Sequence, residues 1–247
     1  MRREFGAYFL SPIGYVVFAV FLAVTGYLFW LSMELLTAQG PKGLSYPMEK
    51  MVGEVSFWLV YLFIPPLLTM RLFAEERGSG TLEMLLTAPL RDWQIVLSKF
   101  LACFAFYVLL WLPTLLYLPV LLDWEWGTLH SGIDPWPVAT TYLGLALAGA
   151  MFLALGLLIS SLVKTQMVAA LITLFIGLLF ILLGFWRPDM DVSGPVYQTL
   201  FFFTVPLHFE RNFSRGLVDT RQLVLYGSVT LFCLFLTVRS LESRRWR

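Results

Sequence analysis

The chain has 247 residues, of which 59% are hydrophobic and 13% are charged, and its formal net charge is +1. Soluble domains carry about 25% charged residues, so this composition excludes an ordinary soluble protein and indicates an integral membrane protein. The near-neutral charge also excludes the strongly basic surface that nucleic acid binding requires.

The N-terminal residues 2–12 mix charged with aromatic side chains, which predicts an amphipathic helix lying along the membrane surface. The apolar run that follows continues past Trp30, which is longer than the hydrophobic centre of a signal peptide. No small-residue cleavage site closes this run. We therefore expect the first span to be retained.

Six apolar segments approach the roughly 20 residues that a helix needs to cross a bilayer. They are residues 13–36, 52–70, 100–122, 138–163, 167–186 and 222–238. The sequence thus predicts an all-α integral membrane protein with six transmembrane helices, in a single domain that covers residues 1–247. Cys103 and Cys233 both fall inside spans, which predicts buried thiols rather than a disulfide framework or a metal cluster.

The distribution of Lys and Arg indicates which way the spans face, because loops rich in these residues stay in the cytoplasm. Eleven of the 17 lie in four segments on one side, at residues 1–12, 71–99, 164–166 and 239–247. The same segments hold only six of the 16 acidic residues. Both termini and the segment 71–99 are therefore expected to be cytoplasmic.

The segment between the second and third spans, FAEERGSGTLEMLLTAPLRDWQIVLSKF, is long and charged for a connection (the insert, residues 73–100). Its Gly-Ser-Gly run at 78–80 is expected to end one helix, and Thr81 to cap the next, which Pro89 ends. One face of that next helix is apolar, with Leu82, Leu85 and Leu86. A helix of about eight residues is unstable alone in water, so it must dock on another surface.

After this short helix, a second helical run leads from Asp92 into the third span. Trp93 is expected to lie at the membrane interface and Lys99 at the level of the lipid headgroups. Spacing alone leaves open whether the leucine face docks on the membrane surface or on a protein.

The fourth span carries small residues at helical spacing, which allows helices to approach closely. They are Ala146, Gly149, Ala150, Ala154 and Gly156. We expect this face to pack against another span of the same chain. Because the connection at 164–166 is so short, the fourth and fifth spans must form an antiparallel hairpin.

The segment 196–216 contains an apolar run that is too short to span a membrane and is split by Pro206. Re-entrant or interfacial helices fit this pattern, provided that protein buries their open backbone ends. His208, Glu210 and Arg211 lie at the expected turn. They fit either a proton relay or ligand site, or a structural cluster whose polar groups satisfy one another.

Motifs for catalysis and nucleotide binding are absent from the sequence. The run GPKGLS at 40–45 does not match a phosphate-binding loop, and no H-E-x-x-H, G-x-S-x-G or CxxC occurs. We therefore expect that the chain is not an enzyme and binds no cofactor. Energy for any active process must come from a partner.

Two stretches resemble a known family. The sequence EERGSGTLEMLLTAP at 75–89, followed by Trp93 and Lys99, closely resembles the first cytoplasmic loop of ABC-2 type ABC transporter permeases. The sequence PLHFERNFSRGLVDTR at 206–221, followed by a last span and a basic tail, is similar to the permease branch associated with bacterial gliding motility. The resemblance covers essentially the whole chain.

The resemblance implies that the insert carries a coupling helix, at 80–89, which rests in a cleft of a separate ATP-binding subunit. Three leucines would enter the cleft, and acidic residues would face basic residues of the partner. The docking residues so implied are Glu75, Glu76, Arg77, Gly80, Thr81, Leu82, Glu83, Leu85, Leu86 and Pro89. Arg77 could pair with Glu76 or Glu83 of its own chain, or point outward to the partner.

The resemblance also implies that the segment before the last span forms outer gating helices. The candidate gate residues are Pro206, His208, Phe209, Glu210, Arg211 and Phe213.

On this basis, the chain is expected to be the permease subunit of an ATP-driven ABC transporter in the bacterial inner membrane, and export is the usual direction. Two permease chains, identical or different, would pair with two ATP-binding subunits, and those subunits would bind the ATP. The main alternative is an ATP-independent membrane scaffold whose insert recruits a cytoplasmic protein. An intramembrane enzyme is a third possibility, which the absence of paired catalytic groups disfavours. The sequence does not indicate the substrate.

Overall fold

The computed structural model describes residues 12–39, 47–80, 91–117, 124–125, 128–129, 135–185 and 202–245. The predicted amphipathic helix at 2–12 lies outside these residues except for its last one. In the part of the chain that is described, the fold is helical apart from one two-residue antiparallel ladder. The prediction of an all-helical membrane protein is confirmed at that level.

The helices, in chain order, are α1 Pro12–Gln39, α2 Pro47–Gly53, α3 Val55–Thr69, α4 Ala74–Gly78, α5 Asp92–Trp111, α6 Trp136–Leu162, α7 Gln166–Phe185, α8 Val205–Arg211 and α9 Thr220–Arg245. Two 3₁₀ turns, Leu112–Tyr117 and Phe213–Arg215, follow α5 and α8. The ladder pairs β1 (Trp124–Glu125) with β2 (Thr128–Leu129), and Trp124 stands opposite Leu129.

Five of these helices are long and apolar enough to cross a membrane: α1, α5 with its 3₁₀ turn, α6, α7 and α9. They coincide with the predicted first, third, fourth, fifth and sixth spans. Their ends differ from the prediction because a helix can continue beyond its apolar part. Thus α5 begins at Asp92, as the predicted helical run before the third span had indicated, and α9 continues to Arg245.

The predicted second span, residues 52–70, is a shorter element than the other five. The backbone is extended at Glu54, which separates α2 from α3, so α3 has only 15 residues. A helix of that length rises about 22 Å, less than the thickness of the hydrocarbon core of a bilayer. One face of α3 is buried, since Trp58 and Tyr61 are 0% and 1% exposed, whereas Leu59 and Phe63 on another face are 44% and 52% exposed.

α6 lies at the centre of the bundle, and its glycines allow neighbours to approach. A Cβ atom at Gly149 would overlap the ring of Tyr107 from α5, and one at Gly156 would overlap the side chain of Thr69 from α3. Tyr107 also donates a hydrogen bond to the Leu145 carbonyl of α6, at 2.8 Å. The predicted close packing of this span within its own chain is therefore confirmed at these two glycines.

The core between α3, α5 and α8 is aromatic. The Trp58 ring lies edge-on to Phe209 at 5.1 Å and to Tyr61 at 5.3 Å, and its indole N–H donates to the Val52 carbonyl at 2.7 Å. Edge-on arrangements suit the quadrupoles of aromatic rings. The core thus connects the α8 region to the membrane helices.

α6 and α7 form the predicted antiparallel hairpin, since α6 ends at Leu162 and α7 begins at Gln166. The outward faces of α1, α7 and α9 are strongly apolar. Among their exposed side chains are Val16, Trp30, Met167, Phe175, Leu231 and Phe232. Apolar surface of this extent belongs in contact with lipid or with another protein rather than water. Cys103 and Cys233 are both buried, as predicted.

Candidate functional site

The described part of the insert consists of residues 73–80 and 91–100, which we call the insert base. Of the predicted docking residues, it includes Glu75, Glu76, Arg77 and Gly80. The other six lie outside the described residues, namely Thr81, Leu82, Glu83, Leu85, Leu86 and Pro89. Those six residues lie between the two parts of the insert base, which connect them to the membrane helices.

α4 begins with two backbone N–H groups bonded to the last turn of α6. The amides of Phe73 and Ala74 each donate to the Ser160 hydroxyl oxygen at 3.1 Å. Ser160 is 0% exposed. The first N–H groups of a helix have no partner within the helix, so a buried side-chain acceptor stabilises its start. This contact fixes the start of the insert to α6.

The predicted break at the Gly-Ser-Gly run is present. The Ser79 amide donates to the Glu75 carbonyl at 3.0 Å, which closes the last turn of α4. Gly80 then takes a φ of 73°, in the left-handed region that side chains with a Cβ disfavour. The chain therefore changes direction at Gly80, where the predicted coupling helix should begin.

Lys99, which the sequence placed at the level of the lipid headgroups, is buried within the protein with 2% exposure. Its Nζ lies 2.7 Å from Glu76 Oε1 and 5.2 Å from the centre of the Phe73 ring. A buried ammonium is tolerated when a carboxylate and an aromatic face compensate its charge. Glu76 thus contacts α5 of its own chain, whereas the resemblance had assigned it to a partner.

Arg77 binds α6 as well. Its Nη1 donates to the Leu162 carbonyl, in the last turn of that helix. The final carbonyls of a helix lack partners within it and carry partial negative charge, so a guanidinium suits this position. The sequence had left open whether Arg77 pairs with a glutamate or points outward, and the structure places it on this backbone oxygen.

The surface of the insert base is polar and accessible. Glu75, Ser79, Gly80 and Arg91 are exposed, as is Lys164 after the end of α6. Trp93, which the sequence placed at the membrane interface, is 49% exposed. The Gln94 side chain accepts the Arg91 amide at 3.2 Å and helps α5 to begin there. Such a mixed-charge surface, held by a rigid base, can bind another protein.

The predicted gate residues lie at the other end of α6, in the 205–216 element (α8 and its 3₁₀ turn). Pro206, His208, Phe209 and Phe213 are buried, whereas Arg211 is exposed and Glu210 is half-buried. His208 Nδ1 forms a hydrogen bond with the Tyr226 hydroxyl of α9 at 2.9 Å.

Further contacts fix the 205–216 element to the start of α6. The Thr140 hydroxyl donates to the Phe213 carbonyl at 2.6 Å, and the Trp136 indole N–H donates to the Gly216 carbonyl at 2.8 Å. A Cβ at Gly144 would lie within 3.0 Å of both the Phe209 and the Phe213 ring. The element is therefore packed into the bundle rather than laid over it.

Ser160, Thr140 and Trp136 were not among the residues predicted from sequence. Each contributes to a contact between segments more than 70 residues apart, and helical periodicity carries no information on such pairs. Two polar pairs in this mostly apolar helix, Thr140-Thr141 near its start and Ser160-Ser161 near its end, were the available signals. Polar residues in membrane helices often bond across helices.

In the described ranges, no group of three or more His, Cys, Asp and Glu side chains could hold a metal ion. The candidate site instead consists of contacts between helices. These contacts can attach the insert base and the 205–216 element to the long helices of the bundle.

Two comparisons with known proteins bear on identity. Residues 44–209 match the model of a family described as ABC-2 family transporter protein. No curated protein matches the chain. The matched range includes the insert and the first five residues of the 205–216 element.

Proposed function

Since the chain belongs to the ABC-2 family of transporter proteins, and is therefore a multi-pass permease subunit of an ABC transporter, we propose that its insert docks on a separate ATP-binding subunit. The ATP is bound by that subunit. The complex exports its substrate across the bacterial inner membrane.

The observation that carries the proposal is the attachment of the insert base to two membrane helices. Ser160 holds the start of α4 to α6, and the ion pair of Glu76 with Lys99 joins it to α5. A movement imposed on the segment 81–90 would therefore reach α5 and α6 directly. A flexible loop could not transmit such a movement.

The topology proposed for the complex has six spans per chain and both termini in the cytoplasm. The second span is α3, whose short length local thinning of the bilayer can accommodate. The excess of Lys and Arg on the side of the insert supports this orientation. Two permease chains pair through apolar faces that the single chain leaves exposed.

The 205–216 element is proposed to act as the outer gate. Because it is hydrogen-bonded to Thr140 and Trp136, the element would move as one body with the start of α6 and would not flex by itself.

The chain is further proposed to belong to the branch associated with gliding motility. The resemblance of residues 206–221 to that branch supports this placement.

The docking proposal is tested by co-purifying the chain with the ATP-binding subunit of its transporter and measuring ATP turnover. Glu83→Lys and deletion of residues 80–89 should each weaken the complex. Glu242→Lys serves as the matched control, because Glu242 is a partly exposed acid near the end of α9, outside the insert. A complex that both insert variants leave unchanged would contradict docking and favour a membrane scaffold that binds its partner elsewhere.

A further inference from the structure

The ion pair between Glu76 and Lys99 joins the two ends of the insert. Glu76 precedes the segment 81–90 and Lys99 follows it, and the two residues are 23 positions apart in sequence. We propose that this closing ion pair holds the insert in the conformation that docks on the ATP-binding subunit. The proposal rests on the proposed function and adds Glu76 and Lys99 as positioning residues.

Burial makes the closing ion pair a fixed contact. The Lys99 side chain is 3% exposed and that of Glu76 is 25% exposed. Exposed ion pairs are screened by salt and contribute little, whereas a buried pair is screened much less. Phe73, which lies under the ammonium, is itself 1% exposed. The ammonium is therefore enclosed by the protein and contacts both a carboxylate and an aromatic face.

The closing ion pair is also attached to the bundle. The residues before Glu76 are bonded to Ser160, and Arg77, which follows it, is bonded to the Leu162 carbonyl. Lys99 belongs to α5, one of the five helices able to cross a membrane. Both ends of the insert are thus fixed to helices of the bundle.

The physical effect follows from loop closure. Bringing the ends of a flexible segment together costs conformational entropy. If the segment is not ordered before it binds, this cost reduces the binding affinity. Because the closing ion pair orders the insert in the free permease, its removal should weaken docking even though no contacting residue is changed. We expect the dissociation constant to rise on the order of tenfold.

The variant that removes the pair must not leave a buried charge behind. Glu76→Gln combined with Lys99→Met keeps the side-chain volumes similar and leaves both positions neutral. The exchange Glu76→Lys with Lys99→Glu restores attraction between the two positions, but it places a carboxylate over the Phe73 ring, so recovery should be partial. Tyr226→Phe is the control, because it removes a buried hydrogen bond far from the insert.

The first measurement uses the full-length permease alone in lipid nanodiscs. A spin label on Ser79→Cys, an exposed position, reports the mobility of the insert base by electron paramagnetic resonance. The label should be restricted in the otherwise unsubstituted chain, mobile in the neutral double variant, partly restricted again in the exchange variant and unaffected by Tyr226→Phe. Unchanged mobility in the double variant would overturn the proposal.

The second measurement is the affinity of each permease variant for the ATP-binding subunit that co-purifies with the unsubstituted chain. The double variant should bind about ten times more weakly than the unsubstituted chain. Tyr226→Phe should bind with the same affinity as the unsubstituted chain. Raised mobility with unchanged affinity would overturn the positioning role. If no ATP-binding subunit binds the unsubstituted chain, the proposed function fails, while the mobility measurement still decides whether the pair closes the insert.

Discussion

Gly156 of α6 lies against Thr69 at the end of α3, so closely that a Cβ at position 156 would overlap the threonine side chain. The contact occurs one turn from Ser160, which bonds to the amides that follow α3. The end of α3 and the last turns of α6 therefore form one packed unit at the base of the insert.

Gly156→Ala should destabilise the protein, because the added methyl forces Thr69 or the backbone of α3 to shift. Overpacking of this kind costs about 1–3 kcal/mol. Gly227→Ala in α9 is the matched control, since no described atom lies within 4 Å of its Cβ position. Thermal unfolding in detergent should show a lower Tm for Gly156→Ala alone. Equal Tm values for the two variants would contradict the close contact.

Ser160→Ala should loosen α4, because the amides of Phe73 and Ala74 lose their buried acceptor. The expected cost is about 1–3 kcal/mol. Hydrogen exchange of a peptide covering residues 70–80 should become faster. Ser161→Ala provides the comparison, since the Ser161 hydroxyl bonds to the Leu158 carbonyl of its own helix at 2.7 Å. Equally fast exchange in both variants would argue against a specific role for Ser160.

Phe213→Ala should cost about 3–5 kcal/mol, because the ring is fully enclosed by the bundle. Phe203→Ala, at a position 45% exposed, should have a small effect. The measurement is Tm together with the yield of folded protein. If Phe213→Ala left both unchanged, the 205–216 element would be an independently moving gate rather than a packed part of the bundle.

The orientation of the chain predicts which positions an impermeant maleimide reaches. In sealed right-side-out vesicles, Val218→Cys should react, whereas Ser79→Cys and Ser243→Cys should react only after permeabilisation. All three positions are exposed, and the native Cys103 and Cys233 are buried, so background labelling should be low. The unsubstituted chain is the control. The reverse pattern would place the insert outside the cell.

Hydropathy and periodicity predicted six spans, of which five are long helices in the structure, and the hairpin at 164–166, because these signals are averaged over many residues. The same averaging hid the interruption at Glu54, which shortens α3 to 15 residues. The start of α5 at Asp92, outside the apolar part of the span, was predicted from the helical run that begins there.

In the insert, the sequence predicted the local backbone but not the contacts between distant residues. The Gly-Ser-Gly break could be predicted because glycine permits the backbone angles of Gly80. The burial of Lys99 could not, because its partner Glu76 lies across the insert and the aromatic ring that completes the site is Phe73. A lysine beside an apolar span has the same local sequence whether it is at the surface or inside.

The fit between α6 and the 205–216 element has a consequence for how the protein is made. Residues near Gly144 enter the membrane while Phe209 and Phe213 have yet to be synthesised, since chains emerge from the ribosome N-terminus first. Until then α6 carries an unfilled notch. A polypeptide truncated before residue 205 would keep that notch open, and cellular quality control should degrade it faster than the full-length chain.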